Sequence, residues 1–560
     1  MKDIIKKYRF GIVIVMLMLI KQRLVTFLPL LPIYTLGTYD DLLMARIADC
    51  LLAFKWMDDP VMLTKGIGFP LFLICGIMTG AGYAGLVSLC HSIASLLMTI
   101  AVRPVIKSRW MQLIFFSVLL FMPAAYVIAQ RVYRNSITIW QVLLILASLS
   151  GMLLRLNKSA KKLFLWSIPG MIGLTWFYHT REDAIWGVLF ATGMLVVSLI
   201  SLLYIFKLKS KAYLIHGTIL ALPLIVLFIS IEIISALNWH YNGFWGTTFF
   251  VSGSFPRMVK TVYSINWQDS AQLPPRLAIS RRQIRTLYNY SPTMNKNRNE
   301  VERWLNIMHK ENGEVENGHI FWAMLYWVKG KAKEAEKGFA AIADELDTAI
   351  GEGKLQTRPT MPSALMAPWK PSAYPYFWKA LGKSWVMLLK SDQYYFYDGP
   401  SYEPVRGIRY LEDFTGSKFD HTSDELSHLC HYKNMSLRIL RKVQTFYEKI
   451  SIPFAVLGVL GFLVIVIKLW AIHGRDMQLW GTLFFLLGCA AACFVLTVGI
   501  AYTDATGFSA VNAPYLAGGY PLVWVFNLTA FSVGLGIVIN WGTSAKTVRN
   551  SDSDHSLKRE

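Results

Sequence analysis

The 560-residue sequence predicts an all-α polytopic membrane protein with about ten transmembrane helices. Three observations predict it. Hydrophobic residues make up 54% of the chain and aromatic ones 14%, and the mean hydropathy is +0.40. Apolar windows of about 18 or more residues recur, each long enough to cross a bilayer as a helix. Lys and Arg gather in short gaps between alternate windows, the pattern of cytoplasmic loops. A membrane β-barrel would show short segments of alternating polarity instead.

The spans fall near residues 9–30, 82–102, 110–128, 137–154, 163–178, 185–206, 213–236, 451–472, 479–502 and 519–541. The first follows the basic stretch "MKDIIKKYRF". No small-residue cleavage site follows its apolar run, so it reads as a retained signal anchor. The segment "KGIGFPLFLICGIMTG", 65–80, is bounded by glycines and short for a crossing, which predicts a juxtamembrane or re-entrant helix. The basic gaps are the N-terminus, 103–109, 155–162, 207–211, the turn with Arg475 and the C-terminal tail. Ten crossings put all six on one side, the cytoplasm.

The outside then receives the first loop, 31–81, the short loops "RVYRNS" (131–136) and "HTRED" (179–183), and a large insert between spans 7 and 8. The predicted organisation is a transmembrane module, 1–237, an extracytoplasmic domain, 238–450, C-terminal transmembrane helices, 451–545, and a cytoplasmic tail, 546–560. The extracytoplasmic domain reads as mainly helical. Its segment "KEAEKGFAAIADELDTAI" places apolar residues at helix period with a polar opposite face. The stretch "QYYFYDGPSYEPVRG" reads as strand or loop, with turns at Asp398-Gly399 and Pro404.

A net charge of +21 invites a nucleic-acid reading, but the cations are spread over the cytoplasmic gaps, so no nucleic-acid partner is expected. The six cysteines form no CxxC pair and no disulfide framework. His421, His428, Cys430 and His431 cluster in sequence. A zinc site needs a second group of ligands beside them, so the sequence names no cofactor and leaves a divalent metal open without indicating one.

Chemistry concentrates in "GTYDDLLMARIADC", 37–50. Thr38 with Asp41 fits a capping box, which predicts a helix from about Tyr39 to Phe54. At 100° per residue, Asp40 falls among Leu43, Ile47, Cys50, Leu51 and Phe54, while Asp41 lies about 100° away with Ala45 and Leu52. Asp41 thus has a structural task as a cap. A carboxylate on an apolar face is costly without a partner or a function. For Asp40 the structural partner would be Arg46 or a loop cation. Four cations, Lys65, Arg131, Arg134 and Arg181, fall at the outer boundary, against the usual bias. They suit an anionic phosphate carried on a lipid, or ordinary headgroups. Lys21 and Arg23, late in the first span, are expected to line the same cavity. Glu182 and Asp183 follow Arg181 at the start of a span, where acids favour the helix dipole.

An acidic pair opening a juxtamembrane helix after the first span resembles the C-type (GT-C) superfamily of integral membrane glycosyltransferases. "YDDLLMARIADCLL" is similar to that superfamily's first-loop motif, and "KGIGFPLFL" to its Lys-Pro-Pro segment, with Gly66-Ile67 in place of the prolines and Thr64 where an acid often stands. The layout is similar over residues 1–240 to protein O-mannosyltransferases and lipid A aminoarabinose transferases. The resemblance implies an enzyme that transfers a sugar from a polyprenyl-phosphate donor to a glycan, lipid or protein acceptor. The site would face outward from a bacterial plasma membrane. It implies Asp40 as general base and Asp41 as its orienting partner. Lys65, Arg131, Arg134 and Arg181 would hold the donor phosphate, and Glu182 and Asp183 the sugar or acceptor. The competing classes are a transporter or flippase of lipid-linked glycans and a non-catalytic cell-envelope polysaccharide assembly protein. A flippase needs paths to both faces, and no internal repeat of spans points to one.

Overall fold

Apolar windows withdrawn from water satisfy their backbone groups only as helices or closed barrels. Helices form at all ten window positions in the computed structural model. It describes residues 2–28, 30, 40–206, 208, 210–267, 272–310, 312–359, 363, 366–391, 405–417, 427–472 and 476–556, with no strand among them. Helix α1 (Lys2–Thr26) leads into two short helices of the first loop, α2 (Asp40–Leu52) and α3 (Gly68–Thr79). Then follow α4 (Tyr83–Ala101), α5 (Arg109–Leu120), the single turn α6 (Pro123–Val127), α7 (Asn135–Leu153), α8 (Ala160–Thr180), α9 (Ile185–Leu203) and α10 (Lys211–Asn242). Among the described residues, eight helical stretches are long and apolar enough to cross a membrane: α4, α5 with its continuation to Gln130, α7, α9, α10 and one in each of the last three helices. Helices α1 and α8, with 25 and 21 residues, match their length, but α1 carries more charge and α8 is less apolar. The 12 residues of α3 reach about 18 Å, well short of a hydrocarbon core of about 30 Å.

Polar residues set where helices begin. The side chains of Ser108 and Ser210 accept backbone N–H groups at the starts of α5 and α10, satisfying donors that have no partner within the helix. Helix α7 is buried along its whole length and packs chiefly on α4 and α8. It is the axis of the bundle, and its outer end carries residues 131–135 into the site described below.

The domain that follows α10, called the outer domain after the side the sequence predicts for it, is built from α11 (Ser254–Ser264), α12 (Arg281–Leu287), α13 (Pro292–Lys296), α14 (Arg298–Ile307), α15 (Asn317–Leu325) and α16 (Ala332–Gly351). Phe249, Phe255, Met258, Trp327, Phe339 and Ile342 form its core, which recruits Leu43, Ile47, Met57 and Leu63 from the first loop. Backbone bonds from Phe249 N to Leu63 O (2.9 Å) and from Ala332 N to Asp58 O (2.7 Å) stitch loop and domain together. The insert then returns to the bundle. Helix α17 (Tyr374–Lys390) packs on the penultimate long helix, with Leu381 beside Ala501, and buries Leu388 in the transmembrane core. Helix α18 (Val405–Thr415) precedes the three last helices, α19 (Ser427–Ala471), α20 (Met477–Thr506) and α21 (Gly519–Ser556).

Several expectations change. Helix α2 stops at Leu52, and Phe54, expected on its apolar face, is 99% exposed with φ +54°. The segment 374–390, grouped by sequence with the outer domain, belongs to the bundle's packing. Val405–Gly407 are helical where strand or loop was expected. Thr38, His421 and most of the aromatic stretch before Val405 lie outside the described residues, as do the side chains of His428, Cys430 and His431.

Two outcomes follow from this packing. A Cβ on Gly66 would lie 2.1 Å from the His179 carbonyl oxygen, whereas one on Gly193 meets nothing within 4 Å. Gly66→Val should therefore cost about 1–3 kcal/mol through overpacking, seen as a lower thermal midpoint, and Gly193→Ala should cost nothing. In the outer domain, Arg285 bonds Glu302 at 2.8 Å and, with Tyr288 and Arg281, holds its carboxyl down to about 2 against the opposing pull of burial. An unfolded Glu titrates near 4.3. The stabilisation is complete above that pH and is lost as pH falls through about 2. Glu302→Gln should flatten the acid-side fall of the thermal midpoint between about pH 4 and 2.

Candidate functional site

Helix α2 is wedged between two cores. Met44, Ala45 and Ala48 join the transmembrane core, and Leu43 and Ile47 join that of the outer domain. Its N-terminus therefore opens at the seam, and the two acids of its first turn diverge there. Asp41 shares the phase of Ala45 and turns into the bundle, where it is 2% exposed. Arg131 grips it with two nitrogens, Nη2 at 2.9 Å and Nε at 3.1 Å from Oδ1. Asp40 stays at the seam with 23% of its side chain exposed. Its Oδ1 lies 3.3 Å from Lys65 Nζ, and its Oδ2 accepts the Tyr133 hydroxyl at 3.0 Å. The partner of Asp40 is thus a loop cation and not Arg46.

Lys65 follows a one-turn 3-10 helix, Met62–Thr64, in extended conformation. The lack of a Cβ on Gly66 and Gly68 lets the chain press against the backbone of His179, which ends the outer part of α8. That seat leaves Lys65 2% exposed. Its ammonium lies between the Asp40 carboxylate and the face of Trp322, 4.6 Å from the ring centre, a favourable place for a cation. Trp322 comes from α15, so the outer domain supplies one wall of the site.

The other wall comes from the bundle. Arg131 is extended, its carbonyl held by the Tyr83 hydroxyl at 2.8 Å, and the chain then enters α7. The Tyr133 ring lies beside both guanidinium groups, 4.4 Å from Arg131 and 5.2 Å from Arg134. Arg134 pairs with Glu182. Arg181 grips both oxygens of Asp183 at 2.7 Å, bonds Asn135 at 2.6 Å, and lies 5.9 Å from the Tyr515 ring of the α20–α21 loop.

The eight residues given catalytic or binding roles gather at this seam, as four pairs: Lys65–Asp40, Arg131–Asp41, Arg134–Glu182 and Arg181–Asp183. Burial alone would raise the Asp40 carboxyl, but Lys65, Arg134 and the Tyr133 hydroxyl outweigh it and hold it below the usual carboxylate range. Asp40 is therefore charged at neutral pH and acts as an acceptor. Burial pushes the Tyr133 hydroxyl well above its ordinary value, so it stays protonated and donates. Burial likewise pulls the Lys65 ammonium below its ordinary value, and the neighbouring Asp40 opposes that pull.

Four contributors carry no signal in the sequence: Tyr133, Asn135, Trp322 and Tyr515. Lys21, expected in this cavity, lies elsewhere. It is buried between α1 and α4, with its Nζ 3.0 Å from Ser88 O and 2.8 Å from His91 Nδ1. Arg23 stacks on Phe27. Among the described residues, no three His, Cys, Asp or Glu side chains gather to hold a metal ion. Comparison with family models, curated proteins and solved structures gives no match.

The depth of Asp41 has a measurable consequence. Asp41→Asn leaves Arg131 without its anion and should cost about 3 kcal/mol, read as a fall in the thermal midpoint of the purified protein. An unchanged midpoint would mean that this pair does not brace the seam.

Proposed function

We propose that this protein is a membrane glycosyltransferase that moves a sugar from a polyprenyl-phosphate donor to a hydroxyl of a glycan, lipid or protein acceptor. One observation carries the reading. A partly exposed carboxylate, Asp40, shares a single cluster with Lys65, Tyr133 and Arg134 beside the ends of apolar helices. Hydroxyl activation and neutralisation of a leaving phosphate need those two kinds of group within reach of one reacting centre.

In the proposed reaction the acceptor hydroxyl gives its proton to Asp40. Its oxygen bonds to the anomeric carbon of the donor sugar. The bond from that carbon to the phosphate oxygen breaks, and the electron pair leaves with the lipid phosphate. Lys65 and Arg134 face the charge that grows there, Lys65 as a compact ammonium and Arg134 as a guanidinium. Arg131 and Arg181 are each engaged by both oxygens of an acid, so their share is to hold the scaffold around the phosphate. In this reading Glu182 and Asp183, paired with Arg134 and Arg181, would accept sugar or acceptor hydroxyls.

The proposed topology has ten crossings, both termini in the cytoplasm of a bacterial cell and the outer domain beyond the plasma membrane. The six basic gaps support it. So do exposed aromatics at both helix ends, Trp110, Tyr204 and Trp470 at one and Trp239, Tyr241 and Trp378 at the other, as in the belts that mark membrane interfaces.

The test is made in cells, with protein levels matched. Asp40→Asn should reduce the transferred surface sugar by about 10²–10⁴-fold, the usual contribution of a general base. Full modification by the variant would sink the reading.

A further inference from the structure

We infer that Lys65 serves the donor phosphate and Asp40 in turn, so that the phosphate binds first and its arrival releases the base. This rests on the transferase reading above.

In the resting structure every cation of the cluster is already spoken for by an acid. An arriving phosphate finds no surplus positive charge and must displace a carboxylate. The four pairs differ in how easily they yield. Arg131 and Arg181 are held by paired contacts to both oxygens of one acid. Lys65 is held by one ammonium at 3.3 and 3.4 Å from the two Asp40 oxygens, longer than a good charge-assisted bond of about 2.7–2.9 Å. It is the loosest of the four.

Access points to the same pair. Lys65 is 2% exposed, whereas Asp40 is 23% exposed. The ammonium also lies over the Trp322 face, 4.6 Å from the ring centre. Helix α15, which carries Trp322, is fixed at its start: Asn317 bonds Thr506 O and Gly318 N bonds Gly507 O at 3.4 Å. A phosphate oxygen therefore reaches Nζ by taking the place of the Asp40 carboxylate. Phosphate oxygens make strong charge-assisted bonds to ammonium groups, so the exchange conserves the interaction. Asp40 is not set adrift by it. The Tyr133 hydroxyl keeps its bond to Oδ2, while both carboxylate oxygens are released from Lys65.

The consequence is an order of binding. Without donor, Asp40 is latched to Lys65, which lies 3.3 Å from Oδ1 and donates to Oδ2 at 3.4 Å. With donor bound, the carboxylate is free of the ammonium and open to the acceptor hydroxyl. The latch keeps the base from the acceptor, and from water, until a phosphate is in place.

The experiment uses the full-length protein in nanodiscs of zwitterionic lipid. It is titrated by calorimetry with a short-chain polyprenyl monophosphate and, separately, with inorganic phosphate. The wild type should bind the lipid phosphate. Asp40→Asn should bind it about tenfold more tightly, because the competing charge is gone, while Lys65→Met should bind at least tenfold more weakly. Equal affinity in wild type and Asp40→Asn overturns the latch and leaves the transferase reading standing. Absence of binding in all three proteins overturns the donor reading, and the latch with it. The same ranking seen with inorganic phosphate alone supports the latch and assigns the site to a free phosphate rather than a lipid headgroup. A second measurement avoids any misfolded variant. Carbodiimide labelling of wild-type Asp40, read by mass spectrometry against buried Asp41, should rise when the lipid phosphate is added, and unchanged labelling overturns the latch.

Discussion

Four cations and four carboxylates share one poorly hydrated seam, and each cation is met by its own acid. The rest of the architecture answers to that constraint. Charges taken out of water are costly unless paired and hydrogen-bonded, so the chain segments that carry them must arrive together. They come from three interhelical loops that are far apart in sequence. The first loop brings Asp40, Asp41 and Lys65, the second Arg131 and Arg134, and the third Arg181 to Asp183. The fully buried helix α7 fixes the second loop in the middle, with α4 and α8 on either side. The pairs then cross between loops: Arg131 of the second reaches back to Asp41 of the first, and Arg134 reaches forward to Glu182 of the third.

The seam also joins bundle and outer domain. Helix α2 has no solvent face of ordinary width, because one side completes the transmembrane core and the other completes the core around Phe255 and Phe339. The outer domain is tied a second time where Arg276 pairs with Asp504 of α20 at 3.2 Å. Trp322 is thereby brought over Lys65 from a domain about 260 residues away in sequence. Under the transferase reading, donor groups held by the bundle and an acceptor offered by the outer domain would meet at this boundary.

Much of this was legible in the sequence, for identifiable reasons. Hydropathy marks the helices because hydrocarbon demands helices. The four cations stood out because they break the charge bias expected of short loops on that side, and Asp40 because it falls on an apolar helix face. The relation between the two aspartates did not follow. Helix phase separated them correctly, but the phase argument assumed a single apolar face, with Asp41 about 100° away from it and explained as a cap. In a helix packed on two cores, both sides are interior, so Asp41 became the buried partner of Arg131 and Asp40 the exposed one. Lys21 shows the same limit. Its position in the first span was plain, but its partners Ser88 and His91 depend on which face of α4 meets α1. Tyr133, Trp322 and Tyr515 could not be picked out, because aromatic residues abound in this chain and only tertiary contact distinguishes these three.

Those aromatic residues have a physical logic of their own. The four acids already neutralise the four cations. A fifth carboxylate would bring an unpaired negative charge into the same poorly hydrated space. Ring faces attract cations without adding net charge. Tyr133 beside Arg131 and Arg134, Trp322 under Lys65 and Tyr515 near Arg181 supply that contact while the tally stays balanced. Tyr133 adds one thing more: its hydroxyl is a neutral donor to Asp40, so it fixes the carboxylate's orientation without competing for its charge. A site made only of ion pairs would have no such neutral anchor, and an acid that exchanged its cation would lose its position with it.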